Sequence, residues 1–153
     1  MAVHRLIREQ TVQLPLAEVF AFFADPYKLE LLTPPFLRFQ ILEVSTPAVR
    51  EGTVIDYRLR VHGLPLRWRA VIESFQPEVE FVDLQLRGPY ALWRHRHQFF
   101  RVGSDRTAIR DTVEYALPFG VLGEVAHRLQ VRRDLQRIFD FRQQALVRHL
   151  ATR

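Results

Sequence analysis

In the stretch Trp93-Arg94-His95-Arg96-His97-Gln98-Phe99, aromatic rings and imidazoles alternate with arginine and glutamine. A strand turns successive side chains to opposite faces, so Trp93, His95, His97 and Phe99 share one face and Arg94, Arg96 and Gln98 the other. The arginines belong in water, which turns both histidines inward. An unpaired buried polar group costs about 1–3 kcal/mol, so these imidazoles need polar partners or a ligand. The run reads as a half-buried strand and as the floor of a candidate site.

The same pattern extends outward on both sides. Strands are expected over about residues 36–44, 53–62, 64–75, 81–87, 90–101 and 108–116, separated by breakers such as Glu51-Gly52, His62-Gly63, Gly88-Pro89 and Gly103-Ser104 at antiparallel hairpin spacing. Before them, about residues 3–14 form one more strand. Pro15 then opens a helix over about residues 16–24, and Asp25-Pro26 caps a second short helix ending near Leu32. After Pro118-Phe119-Gly120, apolar residues at helical spacing (Val125, Leu129, Val131, Leu135, Ile138, Phe139, Ala145, Leu146, Leu150) predict one helix over about residues 122–150, roughly 40 Å long at about 1.5 Å per residue. A helix of that length must lie across much of the sheet. The expected class is α+β, one curved seven-stranded antiparallel sheet wrapped around the C-terminal helix, with two short helices after the first strand.

Composition bounds the rest. The 153 residues are 48% hydrophobic, enough for one domain spanning 1–153. The absence of cysteine excludes disulfides, thiolate metal sites and cysteine nucleophiles. A net charge of +5 would favour anionic partners if the cations were gathered. Arg128, Arg132, Arg133 and Arg137 do cluster, but Glu124, Asp134 and Asp140 are interspersed and no nucleic-acid motif accompanies them, so no nucleic-acid partner is expected. No apolar run is long enough to span a bilayer, and the N-terminus leads into a strand pattern, so the expected setting is cytoplasmic with no stable membrane insertion.

Several short motifs join this order of elements: Phe22-Phe23-Ala24-Asp25, Leu32-Thr33-Pro34-Pro35, Gly63-Leu64-Pro65 with Trp68, Phe81-Val82-Asp83-Leu84-Gln85, Gly88-Pro89-Tyr90, the Trp93-x-His95-x-His97-x-Phe99 strand, Asp111-x-Val113-x-Tyr115 and Phe139-Asp140-Phe141-Arg142. Together they resemble the helix-grip fold of the START and birch-pollen-allergen-like superfamily, which includes polyketide cyclases and coenzyme-Q-binding proteins, and within it a bacterial ligand-binding branch. The resemblance implies a deep cavity between sheet and long helix for a lipid, quinone or polyketide. It carries over no catalytic residue, and the fold alone leaves carriers, sensors and enzymes open.

Strand pairing sharpens the polar cluster. Like faces meet across the last hairpin only if Phe99 faces Ile109, His97 faces Asp111, His95 faces Val113 and Trp93 faces Tyr115. The same logic across Gly88-Pro89 sets Gln85 opposite Trp93, Asp83 opposite His95 and Phe81 opposite His97. Each histidine then has an aspartate neighbour. This register puts Val82, Leu84 and Leu86 on the arginine-bearing face, where they need cover, and a homodimer is one way to supply it. Four readings of Asp83, His95, His97 and Asp111 remain: a satisfied hydrogen-bond network, a polar patch for a ligand, an acid–base pair of His97 and Asp111, and a metal site. The last is disfavoured because each aspartate faces a single histidine. Arg142 continues the helix's inner stripe, either clamping an anionic headgroup or pairing with a core carboxylate.

The expected ligand-binding residues are therefore Trp68, Asp83, Gln85, Trp93, His95, His97, Phe99, Asp111, Val113, Tyr115 and Arg142, with no metal and no cofactor. Gly-x-Ser-x-Gly, phosphate-cradling and dinucleotide motifs are all missing, which favours binding of a hydrophobic small molecule over standard enzyme chemistry. The alternative is a small cyclase, dehydratase or hydrolase using His97 and Asp111.

Overall fold

The computed structural model describes residues 2–150. Its strands are β1 (His4–Val12), β2 (Gln40–Val44), β3 (Val54–Val61), β4 (Leu64–Gln76), β5 (Glu80–Arg87), β6 (Leu92–Gly103) and β7 (Arg106–Ala116). They form one antiparallel sheet in the order β1-β7-β6-β5-β4-β3-β2, a meander from β2 to β7 closed at its far edge by β1. Helix α1 (Leu16–Phe23) and a 3-10 segment (Pro26–Leu32) carry the chain from one edge of the sheet to the other. The C-terminal helix has three parts: α2 (Gly120–Ala126), a π-turn (His127–Val131) and α3 (Arg132–Leu150).

Local chemistry accounts for these boundaries. Pro15 presets the entry to α1, whose Val19, Phe20 and Phe22 are buried. The Asp25 carboxylate accepts from the Tyr27 backbone N–H at 3.1 Å, capping the 3-10 segment behind Pro26. His62 and Gly63, with φ of 49° and 79°, form the two-residue turn that joins β3 to β4. Gly123 rides on the backbone of Pro118, where a Cβ would meet the carbonyl oxygen at 2.1 Å. α3 lies inside the sheet's curve, with Leu135, Phe139, Arg142, Ala145, Leu146 and Leu150 buried, and is fastened to β1 by Arg8–Asp140 at 2.6 Å and by the Gln10 amide donating to the Gln143 carbonyl at 2.9 Å.

The β6–β7 register is the expected one at all four positions, and Asp83↔His95 and Phe81↔His97 hold across β5–β6. Four expectations need correction. The strand foreseen from residue 36 starts at Gln40, because Pro34 and Pro35 instead set a 3-10 turn over Pro35–Leu37. Gln85 does not pair with Trp93, since the ladder ends at Leu84↔Arg94. The long helix is not one uninterrupted α-helix. Its π-turn inserts an extra residue per turn and rotates the preceding face, so Val125 and Leu129 are exposed while His127 is buried. Finally, Val82 is only 1% exposed within the single chain, so its burial does not need a second copy, although Leu86 remains half exposed.

Candidate functional site

Three neighbouring strands and one helix converge on a polar cluster: Asp83 from β5, His95 and His97 from β6, Asp111 from β7 and Arg142 from α3. The backbone sets Asp83 opposite His95 and Asp111 opposite His97, yet the short hydrogen bonds run diagonally. His97 Nε2 donates to Asp83 Oδ2 at 2.7 Å, and His95 Nε2 donates to Asp111 Oδ1 at 2.8 Å. The two imidazoles stack with centroids 3.7 Å apart, and Phe81 covers the other face of His97 at 4.2 Å. Asp111 Oδ1 also lies 3.4 Å from His97 Nδ1 and from Arg142 Nη2. The Arg142 guanidinium lies over the Phe23 ring at 5.3 Å. Of the two roles foreseen for Arg142, pairing with a core carboxylate is the arrangement present.

Charge follows from these contacts. Burial alone would raise the Asp111 pKa, but Arg142 and both histidines hold it well below the ordinary carboxylate range. Asp83 is lowered against the same burial penalty by His97, His95 and Arg142. For His97, burial opposes the charged ring, but hydrogen bonds to Asp111 and Asp83 outweigh it and raise the pKa. His95 goes the other way, pushed down to about 4 by burial and by the charge on His97. At neutral pH the cluster thus holds two carboxylates, one guanidinium and one neutral imidazole, with His97 the ring whose charged form the carboxylates favour.

This cluster forms one end of a cavity of about 690 Å³ between the sheet and α3. Trp68, Asp83, Trp93, His95, His97 and Arg142 all reach its wall. The other expected site residues do not line it. Asp111 is buried behind the imidazoles. Phe99 packs on Phe20 and Phe23 of α1. Val113 and Tyr115 lie under Leu135 and Phe139 of α3. Gln85 clasps the β5–β6 loop, its amide donating to the Tyr90 carbonyl at 2.9 Å while its oxygen accepts from the Tyr90 N–H at 3.2 Å. Strand alternation predicts the concave face but not which part of that face the helices cover.

Two wall features escaped sequence reasoning. Tyr90, directly after the Gly88-Pro89 turn signal, is folded back onto the wall by the Gln85 clasp and makes edge contacts with Trp68 and Tyr115. His62 at the β3–β4 tip bonds Asp134 of α3 at 2.7 Å and joins the two sides of the cavity rim. Neither contact has a local sequence signal. Two buried donors on the wall, Trp68 Nε1 and Arg142 Nε, have no hydrogen-bond partner among the described residues.

No protein-family profile matches the chain, and no curated protein matches it. Among solved structures it is similar to TTHA0849 from Thermus thermophilus, at 17% identity over 98% of this chain and 100% of that one, with a TM-score of 0.69. It is likewise similar to the Zhui aromatase/cyclase from Streptomyces sp. R1128, at 17% identity over 96% of both chains and a TM-score of 0.69. A START superfamily protein from Mycobacterium smegmatis aligns at 13% identity over 92% of this chain and 95% of that one, with a TM-score of 0.66. At these identities the likeness is one of fold, and the chain has the helix-grip fold of START and birch-pollen-allergen-like proteins.

Proposed function

We propose that the protein binds a hydrophobic or aromatic small molecule of the lipid, quinone or polyketide class in the cavity between sheet and α3, as a carrier or sensor. The cavity itself carries this reading. Its volume of about 690 Å³ falls in the range of small-molecule sites, and its mostly aromatic and aliphatic walls meet the polar side chains of Asp83, His95, His97 and Arg142. The unpartnered donors Trp68 Nε1 and Arg142 Nε add to it, because a ligand oxygen would relieve their desolvation cost of about 1–3 kcal/mol each. A fold neighbour points the same way: the norcoclaurine synthase of Thalictrum flavum was solved with dopamine and hydroxybenzaldehyde, both small aromatics. No helix among the described residues is long and apolar enough to cross a membrane, and a freely diffusing cytoplasmic carrier is the setting we propose.

The rival reading uses His97 and Asp111 as an acid–base pair. It draws on the fold neighbours that are a cyclase and a synthase. The geometry weighs against it, because both nitrogens of His97 are already engaged within the cluster, Nε2 by Asp83 at 2.7 Å and Nδ1 by Asp111 and Arg142 at 3.4 Å each. The test is native mass spectrometry of protein purified from its own host, followed by denaturing extraction. A stoichiometric hydrophobic adduct supports the carrier or sensor reading. A clean apo mass, together with turnover of an aromatic polyketide that His97→Gln lowers about 10²-fold or more, would overturn it.

A further inference from the structure

A second cluster of ligating side chains lies where β1 meets the start of the C-terminal helix, apart from the cavity. We propose that His4, Glu124 and His127 form a site for a first-row divalent cation of borderline softness, Zn²⁺ foremost, that clamps the first strand to α2 and the π-turn. One ligating atom from each of the three residues lies within 4.8 Å of the other two. Two ligands at about 2.1 Å from a tetrahedral ion lie about 3.4 Å apart, so modest closure brings this set to bonding geometry.

Three contacts define the geometry that an ion would meet. His4 Nε2 lies 3.2 Å from Glu124 Oε1 and 3.2 Å from Oε2, equidistant from both oxygens, whereas a directional hydrogen bond singles out one. The His4 and His127 rings stack with centroids 3.6 Å apart at 16°, and because an ion lies in the plane of each imidazole that binds it, loading must swing one ring out of this stack. His127 Nε2 lies 2.8 Å from the Tyr115 hydroxyl. With Tyr115 accepting, the proton is fixed on Nε2 and the lone pair on Nδ1, as partners of ligating histidines commonly arrange.

The backbone supports the same assignment. Glu124 and His127 are spaced i, i+3, which places them on one helix face. The π-turn begins at His127 and gives the sheet this histidine in place of Val125 and Leu129. His4 and Glu124 are part-exposed, so the site opens to solvent. Two histidines and one carboxylate leave a tetrahedral ion one open position for water.

The test titrates tag-free, chelator-treated protein with Zn²⁺ by calorimetry, alongside Co²⁺ visible spectra and thermal melts. The expected result is one equivalent of Zn²⁺, a Co²⁺ spectrum of nitrogen and oxygen ligation, and a rise in melting temperature. His4→Gln and Glu124→Gln should each weaken Zn²⁺ binding at least 10-fold, while His62→Gln leaves it unchanged. Melts of the metal-free variants verify folding, and Glu124→Gln, part-exposed and isosteric, decides the matter if His4→Gln fails to fold. No Zn²⁺ uptake, or uptake that both variants retain because the ion sits elsewhere, overturns the proposal.

Discussion

His97 donates its short hydrogen bond to Asp83, one strand over and offset along it, and not to Asp111, the residue it faces across β6–β7. The offset leaves Asp111 free to accept from His95 at 2.8 Å and to stand against Arg142. Two neighbouring histidines on one strand are therefore shifted in opposite directions. NMR of labelled imidazoles should show His97 titrating above the ordinary value of about 6.5, and His95 titrating well below it, at about 4. A single shared midpoint near 6.5 would contradict the arrangement.

Stability should fall on both sides of neutrality, for different residues. The contribution of His97, whose pKa is raised, is complete below about pH 6.5 and is lost as pH rises through its folded value. His95 acts in the opposite direction. Its folded value is about 4, so protonation of the unfolded chain begins to cost stability as pH drops below about 6.5. Asp83 and Asp111 add to that acid loss only below about pH 4, as pH falls through their lowered folded values. Thermal melts from pH 3 to 9 check this, and His95→Gln should flatten the limb between about pH 6.5 and 4.

Asp111→Ala should cost about 3–5 kcal/mol of folding stability, because it strips the buried Arg142 guanidinium of its carboxylate and buried His95 of its hydrogen-bond acceptor. Adding Arg142→Met should recover part of that loss, with a coupling energy above about 1 kcal/mol in denaturant titrations. Strictly additive effects would mean that the 3.4 Å Arg142–Asp111 contact contributes nothing.

The sequence carried the sheet well because alternation is a local signal. In β6 and β7, a one-residue slip would have turned Trp93, His95, His97 and Phe99 to solvent, so their pairing partners followed from like faces alone. The site was less legible. Asp83, His95, His97 and Arg142 reach the cavity wall, but whether Phe99, Val113 and Tyr115 meet a ligand depends on where α1 and α3 come to rest. That placement is a tertiary matter. The π-turn was equally hidden, since helical periodicity assumes an unbroken turn and so put Val125 and Leu129 inward.

Trp68→Phe keeps the aromatic wall and removes only the indole N–H, which has no partner among the described residues. An oxygen-bearing aromatic ligand should lose about 0.5–1.5 kcal/mol of affinity, roughly 2- to 12-fold. A hydrocarbon of the same size should bind equally to both proteins. Calorimetry with the matched pair of ligands separates the outcomes.

His62→Ala should release a hydrophobic fluorescent dye several-fold faster in stopped-flow experiments. It removes the 2.7 Å contact to Asp134 that ties the β3–β4 tip to α3 at the cavity rim. His62 is largely exposed, so stability should change by less than about 1 kcal/mol. An unchanged release rate would mean that the dye leaves by another route.

The matched charges at the polar end have a consequence for recognition. The Asp83 and Asp111 carboxylates, held within a few ångströms of Arg142 and His97, are largely offset at a distance but leave steep gradients close by. A guest entering the cavity meets no net pull to select it by charge. Its oxygen atoms instead find a fixed pattern of local dipoles, so orientation and not charge decides which way round it lies. Added salt should then leave the affinity for an uncharged guest almost unchanged.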